Sequence, residues 1–443
     1  MYGLISYNAQ ENNKQCWTVL NQSLGITPTY AIIYSTFKLS KRATATQRRH
    51  MTAICQFYEY LYLKHNDSFE TIFKSNGLRG LIHELDGFSA YLDTGRKGVN
   101  IVAFIVTDDD NNVETSRVRI EDLFIFLRYL NNRYTTAKYD NTFTTKGIAR
   151  EQTAINFLLR DKRDDLTSSA SKRKISAVNE EYKSLTPFQC TAFLETIYPS
   201  TPKKENEKNP FSTMVISFRN YLICTLALDY GLRRGEINLL ETDSFKPALH
   251  NLDGITTYYI VVTNCEGEGE AEGRIKTDDS HRTLKITEEH YHLLCHYVNQ
   301  FRLKRIKHPD GSEETEECDS SILFLSSQKP KALTLRMFNK IFTTLTKALH
   351  QHFPDDIANP KSMEYLRSLF PHLLRHTWAV AQLHHLVNEL GMSITDAKDL
   401  LRINGGWSIK SVMPDHYGRR FLADTANAAN LRHILQGNDN ASS

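Results

Sequence analysis

No run of apolar residues in this chain approaches the roughly 18 needed to cross a bilayer. The opening stretch MYGLISYNAQENNKQ also has neither the basic nor the apolar region of a secretory signal. Together these absences predict a cytoplasmic protein without a membrane partner. The seven cysteines (16, 55, 190, 224, 265, 295 and 318) form no C-x-x-C pair. Several sit in apolar stretches, where a reduced thiol packs as a small hydrophobe, so neither disulfides nor a zinc site is expected. Internal repeats are absent. The only biased tract is CEGEGEAEG (265–273), which reads as an acidic loop because its carboxylates would repel a phosphate. Net charge is also scarce, at +3, and does not by itself imply a polyanionic partner. The local basic segments SKRATATQRRH (40–50), SKRK (171–174) and RLKRIKH (302–308) each read, taken alone, as solvated faces.

What remains is a globular composition, 40% hydrophobic and 24% charged, over 443 residues, which exceeds one ordinary core and predicts two domains. Residues 51–63 place Met51, Ile54, Cys55, Tyr58 and Leu61 at helical spacing, and IEDLFIFLRYL repeats the pattern with Leu123, Phe126, Leu127 and Leu130. The first third is therefore expected to be helical. One exception is expected: a short hairpin in VNIVAFIVTDDDNNVETSRVRI, turning at Asp108 to Asn112. After a helix around AREQTAINFLLRD, the polar, Ser-rich stretch 166–182 reads as a linker. A second domain starts near 183, where Thr186, Pro187 and Gln189 stand in capping-box register. Within it, Asn209-Pro210 and Gly231 bracket a central helix, ITTYYIVVTN is strand-like, and GRIKTDDSHRTLKI suggests two short strands around a turn.

Chemistry-bearing residues recur through this second region. In PHLLRHTWAV, Pro371 suits a first helical turn, so His372 and Arg375 project from one face near a helix N-terminus, where partial positive charge favours an anion. In GLRRGEINLL, Arg233 follows Gly231 on a turn and Glu236 stands three residues on, placed to orient a guanidinium. Two arginine forks could grip one phosphate. Lys276, beside a hairpin turn, could act as a mobile proton donor. Finally GGWSIKSVMPDHYGRRF offers the indole N–H of Trp407 and the phenol of Tyr417, a nucleophile only where nearby positive charge offsets its pKa of roughly 10.

The order of these segments, G-L-R-x-G-E, a K-T beside a turn, H-x-x-R-H, G-W and a late Tyr, resembles the tyrosine recombinase (phage integrase) family over about residues 183–435. The resemblance implies that Arg233 and Arg375 bind a scissile DNA phosphate while Lys276 protonates the departing 5′-hydroxyl. His372 would assist proton transfer, Trp407 would donate to a phosphate oxygen, and Tyr417 would attack phosphorus to give a 3′-phosphotyrosyl link. Glu236 would buttress Arg233, and His376 would pack or hydrogen-bond. Such chemistry uses no metal, ATP or other cofactor.

The family's architecture would be a mainly α chain with a small antiparallel sheet, forming a two-domain DNA clamp. Residues 30–165 would be a helical core-binding domain, 166–182 the linker and 183–443 the catalytic domain, with no role assigned to 1–29. Double-stranded recombination sites would be the partner. A homotetramer would be coupled by exchange of the C-terminal tail, carrying Phe421, Leu422, Leu431, Ile434 and Leu435, and the protein would be associated with the bacterial nucleoid when bound to DNA. One departure is the spacing of ten from Trp407 to Tyr417, with Pro414 expected to interrupt any helix carrying the tyrosine. A type IB topoisomerase-like relaxing enzyme and a non-catalytic DNA-binding protein on the same fold are the alternatives.

Overall fold

The apolar periodicity of residues 51–63 is realised in α2 (Thr44–His65), where Met51, Ile54, Tyr58 and Leu61 are all buried. The computed structural model describes residues 2–8, 15–93, 110–138, 144–172, 184–200, 206–249, 255–264, 271–273, 275, 280–307, 313–318, 320–326, 331–418 and 421–422. The chain divides into two compact units, Met1–Val178 and Asn179–Ser443, and is mainly helical with small antiparallel sheets. Among the described residues no helix is long and apolar enough to cross a membrane.

The first unit opens with an antiparallel pair, β1 (Tyr2–Asn8) and β2 (Gln15–Asn21). It then runs through α1 (Thr29–Tyr34), α2, α3 (Phe69–His83), α4 (Leu85–Asp93), α5 (Asp110–Lys138) and α6 (Thr145–Lys172). Residues 1–29 carried no sequence signature, yet Tyr2, Cys16 and Val19 are buried and the Tyr2 ring meets Tyr58 edge-on at 5.4 Å. The backbone N–H of Trp17 donates to Gln47 Oε1 at 3.3 Å, and the Ser35 hydroxyl donates to the Trp17 carbonyl at 2.7 Å. The strand pair is thus part of the core. Part of the basic stretch 40–50 is likewise structural. Arg49 forms a two-pronged pair with the buried Asp122 (2.8 and 2.9 Å), and the Arg48 guanidinium lies over the Trp17 ring at 4.9 Å.

Two expectations in this unit change. Asp110, Asn111 and Asn112, read as a hairpin turn, begin α5; acidic and small polar residues favour helix starts as well as turns. The β-rich residues 100–108 lie outside the described residues. The helix around AREQTAINFLLRD continues as α6 to Lys172, so the first residues of the expected linker are helical, and 173–182 lie outside the described residues.

In the second unit, α7 (Pro187–Ile197) has the expected capping box. The Thr186 side chain accepts from the backbone of Gln189, and the Gln189 side chain accepts from the backbone of Thr186. The central helix α8 (Met214–Asp229) is capped by Thr213 rather than started by Asn209-Pro210. Asn209 instead ties the incoming chain together, donating to the Ile197 carbonyl and to Ser217 Oγ. The short α9 (Arg234–Asn238) follows. Next comes a sheet in the order β3 (Phe245–Leu249), β4 (Thr256–Val262) and β5 (Arg282–Ile286). RTLKI therefore pairs with the ITTYYIVV strand.

The chain goes on through α10 (Glu288–His296), the pair β6 (Leu303–Lys307) and β7 (Glu313–Glu317), α11 (Leu335–His352), α12 (Pro371–His384) and α13 (Ile394–Asn404). Leu222, Ile223, Leu226, Phe338, Leu345 and Leu374, from α8, α11 and α12, meet in one buried core. A smaller apolar cluster, with Trp378, Leu383, Leu401, Trp407, Tyr417 and Phe421, seats the end of the described chain on α12 and α13.

Candidate active site

Two tight turns carry the site. At Gly231 the chain leaves α8 with φ of 63°, a left-handed conformation that glycine adopts without steric cost, and an added Cβ would lie 2.2 Å from the Trp378 ring. Two residues later Arg233 stands just before the first turn of α9, where its backbone N–H donates to Glu236 Oε2 at 2.8 Å. At the other turn, after α13, Gly406 also has positive φ, at 59°, and the chain runs directly into Trp407.

Arg375 projects from α12 between these turns. It is wholly buried, and its terminal nitrogens donate to the carbonyls of Gly231 and Gly405. Arg233 reaches the same place from α9, with Nη1 donating to Glu236 Oε1 (2.5 Å) and Ser280 Oγ (3.2 Å) and Nη2 to the Gly406 carbonyl (3.2 Å). Both guanidiniums face the Trp407 ring, Arg375 at 4.4 Å from its centroid and Arg233 at 6.0 Å, within the range of cation–π attraction.

A third cation was not anticipated. Arg282, at the start of β5, donates to Glu236 Oε2 (2.9 Å), to the Ser280 carbonyl (2.9 Å) and to the Asn404 carbonyl (2.8 Å). Nothing in the local sequence distinguishes it from an exposed strand arginine, because the carboxylate that fixes it lies 46 residues away. The Gly405-Gly406 turn does more than lead into Trp407: its two carbonyls accept from Arg375 and Arg233.

Among the described residues Glu236 is the carboxylate that all three arginines share. Burial alone would raise its pKa, but Arg282, Arg233 and Arg375 reverse that and hold it at about 2. Among the described residues, three guanidiniums thus meet one carboxylate in a largely buried space, so positive charge predominates there. Burial, followed by repulsion from Arg233, brings Arg375 down to about 9, so it stays cationic at neutral pH. An anion is the natural complement of such a site.

Tyr417 closes it. Its ring lies 5.3 Å from that of Trp407 and 5.0 Å from that of His376, and the His376 ring lies 4.6 Å from that of His372. The phenol is buried, and among the described residues neither its oxygen nor Arg375 Nε has a partner in full hydrogen-bonding geometry, although Arg375 lies close enough to act on the phenol. Burial raises the Tyr417 pKa, while the charges of Arg375 and Arg233 pull it back.

Of the residues singled out in the sequence, Arg233, Glu236, Arg375, His376, Trp407 and Tyr417 are thus in one place, and His372 joins them at the rim through His376. Arg375 and His372 do not share an exposed face: the arginine is buried and the histidine exposed. Lys276 lies outside the described residues, as does the tail beyond Leu422. Pro414 does not interrupt a helix. It sits in the first turn of the helical segment 413–418, where its missing N–H removes no intrahelical bond. A scan against protein-family models finds no match to the chain, and a search of curated proteins finds no relative of it.

Proposed function

We propose that this protein is a site-specific DNA recombinase of the tyrosine type. It would cleave and rejoin strands through a 3′-phosphotyrosyl intermediate in the service of a mobile genetic element. The observation that carries this reading is that two arginines, one just before α9 and one on α12, and a late-chain tyrosine converge on the one Trp407 ring.

In this reaction Arg233 and Arg375 bind the non-bridging oxygens of the scissile phosphate. The Tyr417 oxygen forms a bond to phosphorus, the bond to the 5′-oxygen breaks, and Lys276 supplies the proton that the leaving hydroxyl requires. The His376 ring packs against that of Tyr417 and the His372 ring against that of His376, and His372 would assist the proton transfer from the phenol. Preorganised donors around a charged transition state contribute roughly 3–4 kcal/mol each. Glu236 and Arg282 act by positioning. Since Arg375 and Tyr417 are sealed from solvent in the free chain, DNA binding must open the site. Leu400, Ile403, Ile409 and Val412 are exposed apolar side chains that a neighbouring protomer's tail would cover in a tail-coupled tetramer on DNA.

The test uses duplexes taken from the DNA flanking the encoding gene, nicked so that the cleaved strand is lost. The wild-type chain is expected to form a detergent-resistant adduct mapping to Tyr417, absent from Tyr417→Phe and strongly reduced in Arg233→Ala. An adduct undiminished in Tyr417→Phe would sink the proposal. Hybrid strands from two distinguishable duplexes would separate recombination from mere relaxation.

A further inference from the structure

Helix α6 of the first unit buries Ile155 and Leu159 on one side and presents a different stripe to solvent. On that stripe Phe157 is 68% exposed and Leu158 stands beside it, an unusual position for a large aromatic ring. Together with Ala149, Arg150, Ala154 and Arg79 these residues line an open groove of about 710 Å³. Its lining thus combines small side chains, Ala149 and Ala154, with a large apolar one, Phe157.

Charge is distributed along the same stripe. Arg150 lies seven residues before Phe157 and Asp161 four residues after it, so all three project within about 40° of one another at 100° per residue. Neither Arg150 nor Asp161 makes an ion pair among the described residues, and both are exposed. A two-fold axis crossing α6 between Ile155 and Asn156 would bring Arg150 opposite Asp161, Ala154 opposite Phe157 and Thr153 opposite Leu158. Each large apolar side chain would then meet a small one, and each cation an anion, in both halves of the pair. A face that is complementary to its own rotated image is the requirement for an isologous dimer.

We infer that two copies of this chain associate through antiparallel pairing of their α6 helices, with Phe157 of each seated on Ala154 of the other and two Arg150–Asp161 ion pairs flanking the axis. This association requires no DNA and no strand chemistry, so it stands apart from the function proposed above. A heterologous protein would have no reason to match the internal symmetry of the stripe.

The test is sedimentation of the full chain without DNA across a micromolar concentration series. The wild type is expected to show a reversible monomer–dimer equilibrium. Arg150→Asp and Asp161→Arg should each weaken it by roughly tenfold or more, because each places like charges face to face twice. The double variant carrying both changes should restore it. Phe157→Asp should leave only monomer, with an unchanged circular dichroism spectrum and melting curve confirming the fold. A chain that stays monomeric at every concentration would overturn the inference and give the face to another partner. So would a dimer indifferent to the single reversals, or one not rescued by the double variant.

Discussion

The guanidinium of Arg375 lies 4.4 Å from the centroid of the Trp407 ring, with the side chain fully withdrawn from solvent. A cation so placed is tolerable only because the ring's electron-rich face, two backbone carbonyls and the nearby Glu236 carboxylate replace its hydration. The behaviour of the whole site follows from this arrangement.

Glu236→Gln should be among the most damaging substitutions in the second unit. It removes the one carboxylate shared by Arg233, Arg282 and Arg375 and leaves buried positive charge uncompensated, at a cost of about 3–5 kcal/mol. Urea denaturation of the two proteins at neutral pH measures the difference.

The same carboxylate gives a pH signature. Its pKa falls from the ordinary 4.5 to about 2 on folding, so its contribution, about 3 kcal/mol, is complete above pH 4.5 and is lost as the pH falls towards 2. The wild type should therefore lose stability between pH 4.5 and 2 more steeply than Glu236→Gln, as followed by tryptophan fluorescence.

Tyr417→Phe separates chemistry from folding. Among the described residues the buried phenolic oxygen has no partner in full hydrogen-bonding geometry, so its removal should leave stability unchanged or raise it by about 1 kcal/mol while abolishing any covalent adduct with DNA. A melting temperature clearly below wild type would show that the hydroxyl has a structural partner.

Gly231→Ala should fail for backbone and packing reasons together. Positive φ costs an alanine about 1–2 kcal/mol, and a methyl group 2.2 Å from the Trp378 ring forces repacking that costs about 1–3 kcal/mol more. Thermal denaturation should show the loss in the second unit.

In the first unit, Asp122→Asn should cost about 2 kcal/mol, less than a fully buried pair because Arg49 is half exposed and can rehydrate. Burial lowers the His50 pKa, so this histidine favours the fold above its ordinary value of 6.5 and ceases to do so as the pH falls through its folded value. Chemical denaturation at pH 7.5 and pH 5.5 measures both effects.

Features governed by local chemistry were legible in the sequence. The Thr186–Gln189 capping box, the Gly231 turn, the Pro371 helix start and the buried stripe of α2 all depend on residues within a turn of each other. Features set by distant partners were not. The β1–β2 pair is stabilised by Tyr58, Ser35 and Gln47, and Arg282 is fixed by Glu236 and Asn404. Turn-forming residues proved ambiguous in the other direction: Asp110 to Asn112 open a helix, and Pro414 stands in a first turn rather than breaking one.

The carbonyls that accept from Arg375 belong to Gly231 and Gly405, so that cation is fastened by main chain, whereas Arg233 divides its hold between the Gly406 carbonyl and the side chains of Glu236 and Ser280. Drift among the other surrounding side chains can therefore proceed without removing the hydrogen bonds of Arg375, since no amino-acid exchange removes a peptide oxygen. Besides Glu236, vulnerability is concentrated in the glycines themselves, where a single methyl group meets Trp378, Trp407 or Arg282.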